Sequence, residues 1–304
     1  MTRKILCALA ALTLIAVPSM ARTAAHDGPA SQAALPSAYS FQSFEVCPSC
    51  STQTGGINDE GLVGAAQFPQ GYVYDAKTNQ ATAIPGALAM TVPSDNGQVP
   101  GLAFGPSGLI VPLVRERDGS INLLAGFPGA LVTAILQFNG EGASIGWAST
   151  NFVSFFGFVR SPDGAYTRFD CPFALPLGTF PLGWNEDGTI VGYTTDPTET
   201  DFAGFIRHPD GTWEQFAIPG ASSTLPSAIN ERGMIVGGYR DATGWHGFVW
   251  SDGTFRVVDV PGAANTNVTG INNHGMLVGN IFNNTRPLVG PFGGFIARPL
   301  PPGQ

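Results

Sequence analysis

Three acidic side chains lie close together in one short segment, at Asp196, Glu199 and Asp201. Carboxylate oxygens on a flexible loop are the ligands that Ca²⁺ prefers in proteins. A short acidic segment is more often a loop that is simply exposed to solvent. The segment therefore predicts either a calcium site or a solvated loop, and calcium is the one cofactor that the sequence leaves open.

A second group combines a guanidinium, an indole and an imidazole, at Arg240, Trp245 and His246. Tryptophan and arginine are the residues that most often dominate the energy of a binding interface. This segment therefore predicts a ligand-binding surface on a loop. Two structural alternatives stay open, in which Trp245 is a half-buried aromatic residue and His246 has a packing or turn role.

The cysteines indicate an exported protein rather than a redox enzyme. Cys47 and Cys50 are separated by two residues, and a redox-active pair of this spacing needs its first cysteine at a helix N-terminus. Strand-like residues precede Cys47 instead. The pair could close a local disulfide after export, and the sequence leaves its redox state open.

The N-terminus supports export. Arg3 and Lys4 precede an apolar run at 5–17, and small residues allow cleavage after Ala21, so residues 1–21 predict a signal peptide. No later stretch is long and apolar enough to span a membrane. We expect a secreted or periplasmic monomer. Its net charge of −8 argues against nucleic acid as a partner.

Composition restricts the fold class. The chain has 40 glycines and 25 prolines in 304 residues, and only 12% of its residues are charged. This composition disfavours long helices, and the 43% of hydrophobic residues argues against disorder. An all-β protein with many tight turns remains.

The strongest pattern is a repeat of about 44 residues, the period of a solenoid or a propeller. Its core reads Ile-Asn-x-x-Gly-x-Ile-Val-Gly and begins at Ile57, Trp184, Ile229 and Ile271, with a longer copy at Phe138 and a degraded one around Ser94. Each copy is followed by a strand in which an aromatic residue comes directly after a glycine. An Asp-Gly turn usually comes next, and the unit often ends in Pro-Gly-Ala. The asparagines are expected to stabilise turns rather than to bind ligands, because asparagine bonds the backbone ahead of it. They are Asn58, Asn139, Asn185, Asn230 and Asn272.

Four short strands in each repeat are the content of one propeller blade. We predict a six-bladed β-propeller over residues 40–298, between a flexible Ala/Ser/Pro linker at 22–39 and a tail at 299–304. The predicted blades are 54–87, 88–130, 131–174, 175–221, 222–263, and 264–298 together with 40–46. The last repeat lacks a fourth strand, and Phe41 to Val46 would supply it and close the ring.

With these motifs the chain resembles the bacterial HAF-repeat family of extracellular proteins. The resemblance spans nearly all of residues 40–298 and is clearest in the last three repeats. It implies export and a β-repeat fold. It implies no activity and no catalytic residues.

No catalytic pattern is visible. His208, His246 and His274 have no metal-ligand spacing, and HExxH does not occur. We therefore expect a non-catalytic binding module whose partner is an extracellular ligand, glycan or protein. The alternative is a secreted hydrolase or lyase with its site at the axial channel.

Overall fold

The computed structural model describes residues 35–48, 50–283, 287, 290 and 292–301. The predicted signal peptide at 1–21, residues 22–34 of the linker and residues 302–304 of the tail lie outside this part. All 24 regular elements of the described part are β-strands. Nowhere in these ranges is there a helix with the length and hydropathy needed to cross a membrane.

The strands follow the repeat units of the sequence. The N-terminal strand β1 is Tyr39–Phe44. The first unit holds β2 (Gln53–Ile57), β3 (Leu62–Gln67), β4 (Gln70–Asp75) and β5 (Gln80–Ile84). The second holds β6 (Ala87–Met90), β7 (Val99–Phe104), β8 (Ile110–Arg115) and β9 (Ile121–Leu123). The third holds β10 (Val132–Phe138), β11 (Ser144–Ser149), β12 (Phe156–Arg160) and β13 (Tyr166–Phe169).

The remaining strands complete three further units. The fourth unit holds β14 (Gly178–Trp184), β15 (Ile190–Thr195), β16 (Phe202–Arg207) and β17 (Trp213–Phe216). The fifth holds β18 (Ser223–Ile229), β19 (Ile235–Arg240), β20 (Trp245–Ser251) and β21 (Thr254–Val257). The sixth holds β22 (Asn265–Ile271), β23 (Leu277–Phe282) and β24 (Phe292–Pro299).

Within each unit, consecutive strands pair antiparallel, which confirms an all-β propeller with four-stranded blades. Four blades are separate sheets: β2–β5, β14–β17, β18–β21, and β22–β24 with β1. The sequence predicted six. The strands β6–β9 and β10–β13 instead share one eight-stranded sheet, because Val132 of β10 forms a parallel bridge to Ile110 of β8.

The N-terminal strand β1 is the outermost strand of the last sheet. It pairs antiparallel with β24, from Tyr39 opposite Pro299 to Phe44 opposite Gly294. The strand therefore begins and ends two residues earlier than the predicted Phe41 to Val46. Its end also reaches the first unit, since the ring of Phe44 stacks on that of Tyr74 with centroids 4.1 Å apart. A single strand thus joins the two ends of the chain.

The repeated asparagine builds the turn between the first two strands of a unit. In the fifth unit, Asn230 Oδ1 accepts hydrogen bonds from the N–H groups of Arg232 (3.1 Å) and Met234 (3.0 Å). Gly233 adopts a φ of 74°, which glycine tolerates without strain. The equivalent side-chain bond occurs at Asn58, Asn139, Asn185 and Asn272. The prediction that these asparagines form turns is confirmed.

The same amide also reaches the next unit, which the sequence did not reveal. Asn230 Nδ2 donates to the carbonyl of Asn272 at 3.1 Å, and Asn272 Nδ2 donates to the carbonyl of Asn58 at 3.1 Å. Asn58 Nδ2 in turn donates to the carbonyl of Ser94 at 3.0 Å. These asparagines are at most 3% exposed, so each amide is satisfied on both sides in a buried position.

The glycine that ends Ile-Val-Gly is required by close packing. In the fifth unit the register of β18 shifts between Pro226 and Ala228, as at a β-bulge. The shift brings the carbonyl of Leu225 against Gly237, where a Cβ atom would lie 2.0 Å from the oxygen. Any other residue at position 237 would displace β18 or β19.

In the third strand of a unit, the aromatic residue that follows the glycine fills the core between sheets. Phe158, Phe205, Phe248 and Phe295 are each 0% exposed. Burying one such side chain stabilises the fold by about 1.5–3 kcal/mol. The aromatic strand of the repeat therefore supplies most of its apolar packing.

The Asp-Gly turns differ from the two-residue hairpins that the sequence suggested. Only Asp252 and Gly253 form one, because Ser251 pairs directly with Thr254. In the third unit, Arg160 pairs with Tyr166 across a five-residue loop. The aspartates of these longer loops bond the N–H two residues ahead, as Asp210 Oδ1 does with Thr212 at 2.9 Å. This side-chain bond stabilises a wider turn than a dipeptide pattern indicates.

We expect deletion of residues 22–47 to lower the melting temperature and to cause aggregation, because it removes β1 and leaves the edge of β24 unpaired. Deletion of residues 22–38 keeps β1 and serves as the control. Thermal unfolding and light scattering measure both effects. Equal melting temperatures for the two deletions would contradict a stabilising role for β1.

We expect Asn230→Ala to lower the free energy of unfolding by about 1–3 kcal/mol, because it leaves buried backbone groups of two units without partners. Denaturant unfolding measures the change. Asn230→Asp keeps the acceptor of the turn but sets a buried carboxylate oxygen against the carbonyl of Asn272, so a loss at least as large as that of alanine is expected. If alanine and wild type unfold alike, the amide does not stabilise the fold.

Candidate functional site

A central cavity of about 120 Å³ lies where the first strands of the repeat units end. Residues of all six units line it, mostly those of the asparagine turns and the strand residues just before them. Part of the lining is apolar and includes Ile57, Phe138, Ile229 and Ile271. Much of the rest is polar or acidic. The turn that repeats in sequence therefore places equivalent residues around one cavity.

Four carboxylates line this cavity, each from a different unit. All four occupy the same position of the repeat, directly after the turn asparagine or the residue that replaces it. They are Asp59, Asp95, Glu186 and Glu231. Gly140 and Asn273 fill the same position in the third and sixth units. Among the described residues, no lysine or arginine lines the cavity. Its potential is therefore set by negative charge, as expected where like charges line a concave surface.

Each of these side chains accepts a hydrogen bond from the backbone of the preceding unit. Glu186 Oε1 accepts from the N–H of Gly140 at 2.6 Å, and Glu231 Oε2 accepts from the N–H of Glu186 at 2.8 Å. Asn273 Oδ1 accepts from the N–H of Glu231 at 3.0 Å. The units are thus linked through the residues that line the cavity.

The same pattern links the last unit to the first and the first to the second. Asp59 accepts from the N–H of Asn273 at 2.7 Å and from its Nδ2 at 3.0 Å. Asp95 Oδ1 accepts from the N–H of Asp59 at 2.8 Å. Charge-assisted bonds of this kind are stronger than bonds between neutral groups. The carboxylates that link neighbouring units therefore also supply the negative charge of the cavity.

The link between the second and third units is made differently, because Gly140 has no side chain to accept the N–H of Asp95. Backbone pairing replaces it. The N–H of Val92 donates to the carbonyl of Leu136 at 3.0 Å, and Thr91 Oγ1 donates to that of Ile135 at 3.2 Å. These two units are also the ones that share a single sheet.

The cavity raises the pKa of two of its carboxyl groups. Desolvation is the largest cause of the raised pKa of Asp95, the negative charges of Asp59 and Glu60 add to it, and the bond from the N–H of Asp59 opposes it. Desolvation is also the largest cause for Glu231, whose pKa the charges of Glu186 and Asp95 raise further. Repulsion across the cavity therefore disfavours full ionisation of the ring of carboxylates.

The sequence did not predict this cavity. The asparagine turn is structural, as predicted, and the residue that follows it was the signal. That position reads Asp, Asp, Gly, Glu, Glu and Asn through the six units. An acidic bias at one repeat position indicates such a cavity, because equivalent positions of packed units can face the same place.

Trp245 was predicted to contact a ligand at the surface, and the structure contradicts the exposure that this requires. The indole is 1% exposed and packs edge-on against Phe202 of the fourth unit, with centroids 5.5 Å apart. The alternative of a half-buried ring underestimated the burial. The reason is that Trp245 begins a strand rather than standing on the loop before it.

Arg240 and the acidic loop of the fourth unit are neighbours in space. Arg240 Nη1 donates to the carbonyl of Thr200 at 3.3 Å. His246 is adjacent to Trp245 in the same strand and so points to the other face of the sheet. The structure therefore places Arg240 beside the predicted calcium loop. It separates His246 from Arg240 and from that loop. A ligand role for Arg240 and His246 stays a prediction.

The predicted calcium ligands are not assembled around one point. Asp196 is 6% exposed, and its Oδ1 accepts from the N–H groups of Thr200 (3.2 Å) and Asp201 (3.3 Å). Its other oxygen bonds the Thr198 hydroxyl. Within the described ranges, no three His, Cys, Asp or Glu side chains form a metal-binding group. Calcium binding by Asp196, Glu199 and Asp201 stays a prediction.

Cys47 and Cys50 form a disulfide in the connection between β1 and β2, with Cα atoms 5.6 Å apart. Cys171 is buried and reduced. Burial raises the pKa of its thiol to about 11, which keeps it protonated and unreactive at neutral pH.

The fold is similar to that of three solved proteins of low sequence identity. A gluconolactonase from Xanthomonas campestris is 14% identical over 90% of this chain and 94% of its own, with a TM-score of 0.57. Luciferin-regenerating enzyme is 12% identical over 86% and 96%, with a TM-score of 0.56. TolB from Acinetobacter baumannii is 12% identical over 81% and 63%, with a TM-score of 0.52.

At these identities the similarity shows the fold alone. No protein-family model matches the chain, and no curated protein matches it. Function must therefore be argued from the residues of the cavity.

We expect Gly140→Asn to raise the melting temperature by about 2–4 °C, because its amide oxygen would accept the N–H of Asp95 and add about 1 kcal/mol. A Cβ at this position would meet only the end of the Glu186 side chain, at 3.1 Å. Thermal unfolding measures the gain. Gly140→Ala adds no acceptor, and an equal gain in that control would show that reduced backbone freedom, not the hydrogen bond, is responsible.

Proposed function

We propose that the protein is a non-catalytic β-propeller module that binds a cationic ligand in the central cavity. The observation that carries this proposal is the lining of four carboxylates, Asp59, Asp95, Glu186 and Glu231, without a lysine or arginine among the lining residues. A concave surface of one charge concentrates ligands of the opposite charge.

The hydrogen bonds leave room for such a ligand. One oxygen of each carboxylate accepts a backbone N–H. Within the described residues, the second oxygens of Asp95, Glu186 and Glu231 accept no hydrogen bond. A bound cation would also relieve the repulsion that raises the pKa of Asp95 and Glu231. An ammonium group, a guanidinium group or Ca²⁺ has the required chemistry.

The roles of the carboxylates favour binding over catalysis. Each one holds the backbone of a neighbouring unit, so moving or fully protonating it would weaken the fold. The lining residues include no serine–histidine or cysteine–histidine pair that could form a nucleophile and its base.

We further propose that the six units form a closed ring, with the cavity at the mouth of its axial channel. Bonds between the last and first units support this. Thr54 Oγ1 lies 2.7 Å from Thr269 Oγ1, and Asn280 Nδ2 donates to the carbonyl of Thr52 at 2.8 Å. The pairing of β1 with β24 supports it as well. The eight-stranded sheet then represents two blades that share one bridge.

We also propose that the protein is secreted or periplasmic and that it belongs to the HAF-repeat family. The sequence of residues 1–21 supports export. The Cys47–Cys50 disulfide is consistent with an oxidising compartment.

A second candidate is a hydrolase or lyase that acts in the same cavity. The observation that favours it is a pair of carboxyl groups with raised pKa, Asp95 and Glu231, beside other carboxylates. A proton-holding carboxyl beside an ionised one is the arrangement that general acid–base catalysis uses.

We expect Ca²⁺, spermidine and arginine amide, titrated separately by calorimetry, to include at least one ligand whose affinity rises with pH as the cavity carboxylates ionise. Because each substitution removes one charge, Glu186→Gln combined with Glu231→Gln should weaken binding at least about tenfold, or 1.4 kcal/mol. Glu214→Gln, on an exposed strand edge, is the matched control.

Unchanged affinity in the double variant would place the ligand outside the cavity and contradict the proposal. The same proteins are screened against ester, lactone and glycoside substrates. Turnover that is lost in Glu231→Gln but kept in Glu214→Gln would favour the enzyme instead.

A further inference from the structure

His246 lies at the centre of a network that joins three separate segments of the fifth unit. Its Nδ1 is 2.7 Å from Asp259 Oδ2, on the connection from β21 to β22. Its Nε2 is 2.7 Å from Thr243 Oγ1 and 3.3 Å from Asp241 Oδ1, both on the loop between β19 and β20. The imidazole side chain is 21% exposed. Neither the central cavity nor the predicted calcium loop includes this network.

The arrangement of Thr243, His246 and Asp259 has the order of a nucleophile, its base and the carboxylate that orients the base. The position of Asp241 argues against that chemistry. Thr243 Oγ1 donates its hydrogen to Asp241 Oδ1 at 2.6 Å, so the hydroxyl is the acceptor toward His246. Both imidazole nitrogens then act as donors, which requires the protonated ring.

The two aspartates also hold the backbone around the imidazole. Asp241 Oδ1 accepts the N–H of Thr243 at 2.7 Å, and Asp259 Oδ1 accepts the N–H of Gly247 at 3.1 Å. The N–H of Asp241 bonds the carbonyl of Gly244 at 3.1 Å, which closes the loop on itself. The loop and the connection are thus joined to each other through one imidazolium.

The charged and titratable groups around His246 favour its protonated form. Asp241 faces it from the loop, Asp259 from the connection, and the Tyr239 ring from β19 with centroids 5.3 Å apart. Partial burial lowers the pKa of His246, but the hydrogen bond and charge of Asp259 and the charge of Asp241 raise it by more. Asp241 stays ionised, because its bonds from Thr243 lower its pKa to about 2.

We propose that His246 is a pH-sensitive latch, whose protonated imidazole holds the loop at 241–244 against the β21–β22 connection and whose deprotonation releases it. Neutral imidazole has one donor. If that donor stays on Asp259, the Thr243 hydroxyl must turn from Asp241 toward the bare Nε2, so Asp241 loses both its ion pair with His246 and this hydroxyl bond. The released loop begins directly after Arg240, which contacts Thr200 of the fourth unit. The latch therefore acts on a loop that follows directly after the contact between these two units.

The sign of the pH dependence follows from the raised pKa. The latch contributes its full stability below the ordinary histidine pKa of 6.5 and loses it as the pH rises through the higher pKa of the folded state. The loop should therefore be most ordered in mildly acidic solution and least ordered in alkaline solution.

Hydrogen exchange of the Thr243 and Gly247 amides, corrected for intrinsic rates, tests the latch between pH 5.5 and 9. We expect protection of both amides to fall as the pH rises, by about tenfold for each unit by which the pKa exceeds its ordinary value. Asp259→Asn should lower the His246 pKa in an NMR titration and shrink this change. His246→Gln should remove the pH dependence altogether.

His208→Gln is the matched control, because His208 Nε2 also faces a carboxylate, Glu214 at 3.5 Å, but on another unit. It should leave the pH dependence of Thr243 and Gly247 unchanged. Protection that does not vary with pH, or that varies equally in His246→Gln, would overturn the latch. Esterase activity that Thr243→Ala abolishes would show that the triad is catalytic instead.

Discussion

The fold depends on one side-chain amide that serves two repeat units at once. The asparagine of each Ile-Asn-x-x-Gly turn accepts a hydrogen bond from its own turn, and in Asn58, Asn230 and Asn272 the amide nitrogen also donates to the next unit. Local turn formation and packing between units are therefore coupled in the same residue. A side chain with only an acceptor or only a donor could not satisfy both, which explains why asparagine recurs there.

The position that follows the asparagine extends this coupling and adds charge. Its carboxylates bind backbone N–H groups of neighbouring units, so the fold gains inter-unit bonds by concentrating negative charge around one cavity. Desolvation, and after it the repulsion from neighbouring carboxylates, raises the pKa of Asp95 and Glu231. A fold that keeps this repulsion at the mouth of a cavity has a surface suited to cations, and this links the architecture to the proposed function.

Two units depart from the repeat pattern, and each departure changes the local structure. Gly140 removes one acceptor from the series, and Val92 and Thr91 bond carbonyls of the third unit instead. The same two units share one sheet through the bridge between Val132 and Ile110. The fifth unit departs in another way, by placing His246 between Asp241 and Asp259. One unit thus carries a titratable network that is separate from the central cavity.

The sequence by itself determined the strands, the asparagine turns and the strand that completes the last sheet, because each follows from a local pattern repeated at a fixed period. The tertiary structure alone decided which residues meet. Asp59 and Asp95 belong to different units and become neighbours only when those units pack. Trp245 has polar neighbours in the sequence, but it is buried because Phe202 of another unit covers it. Burial and convergence depend on partners distant in sequence, and no local pattern contains that information.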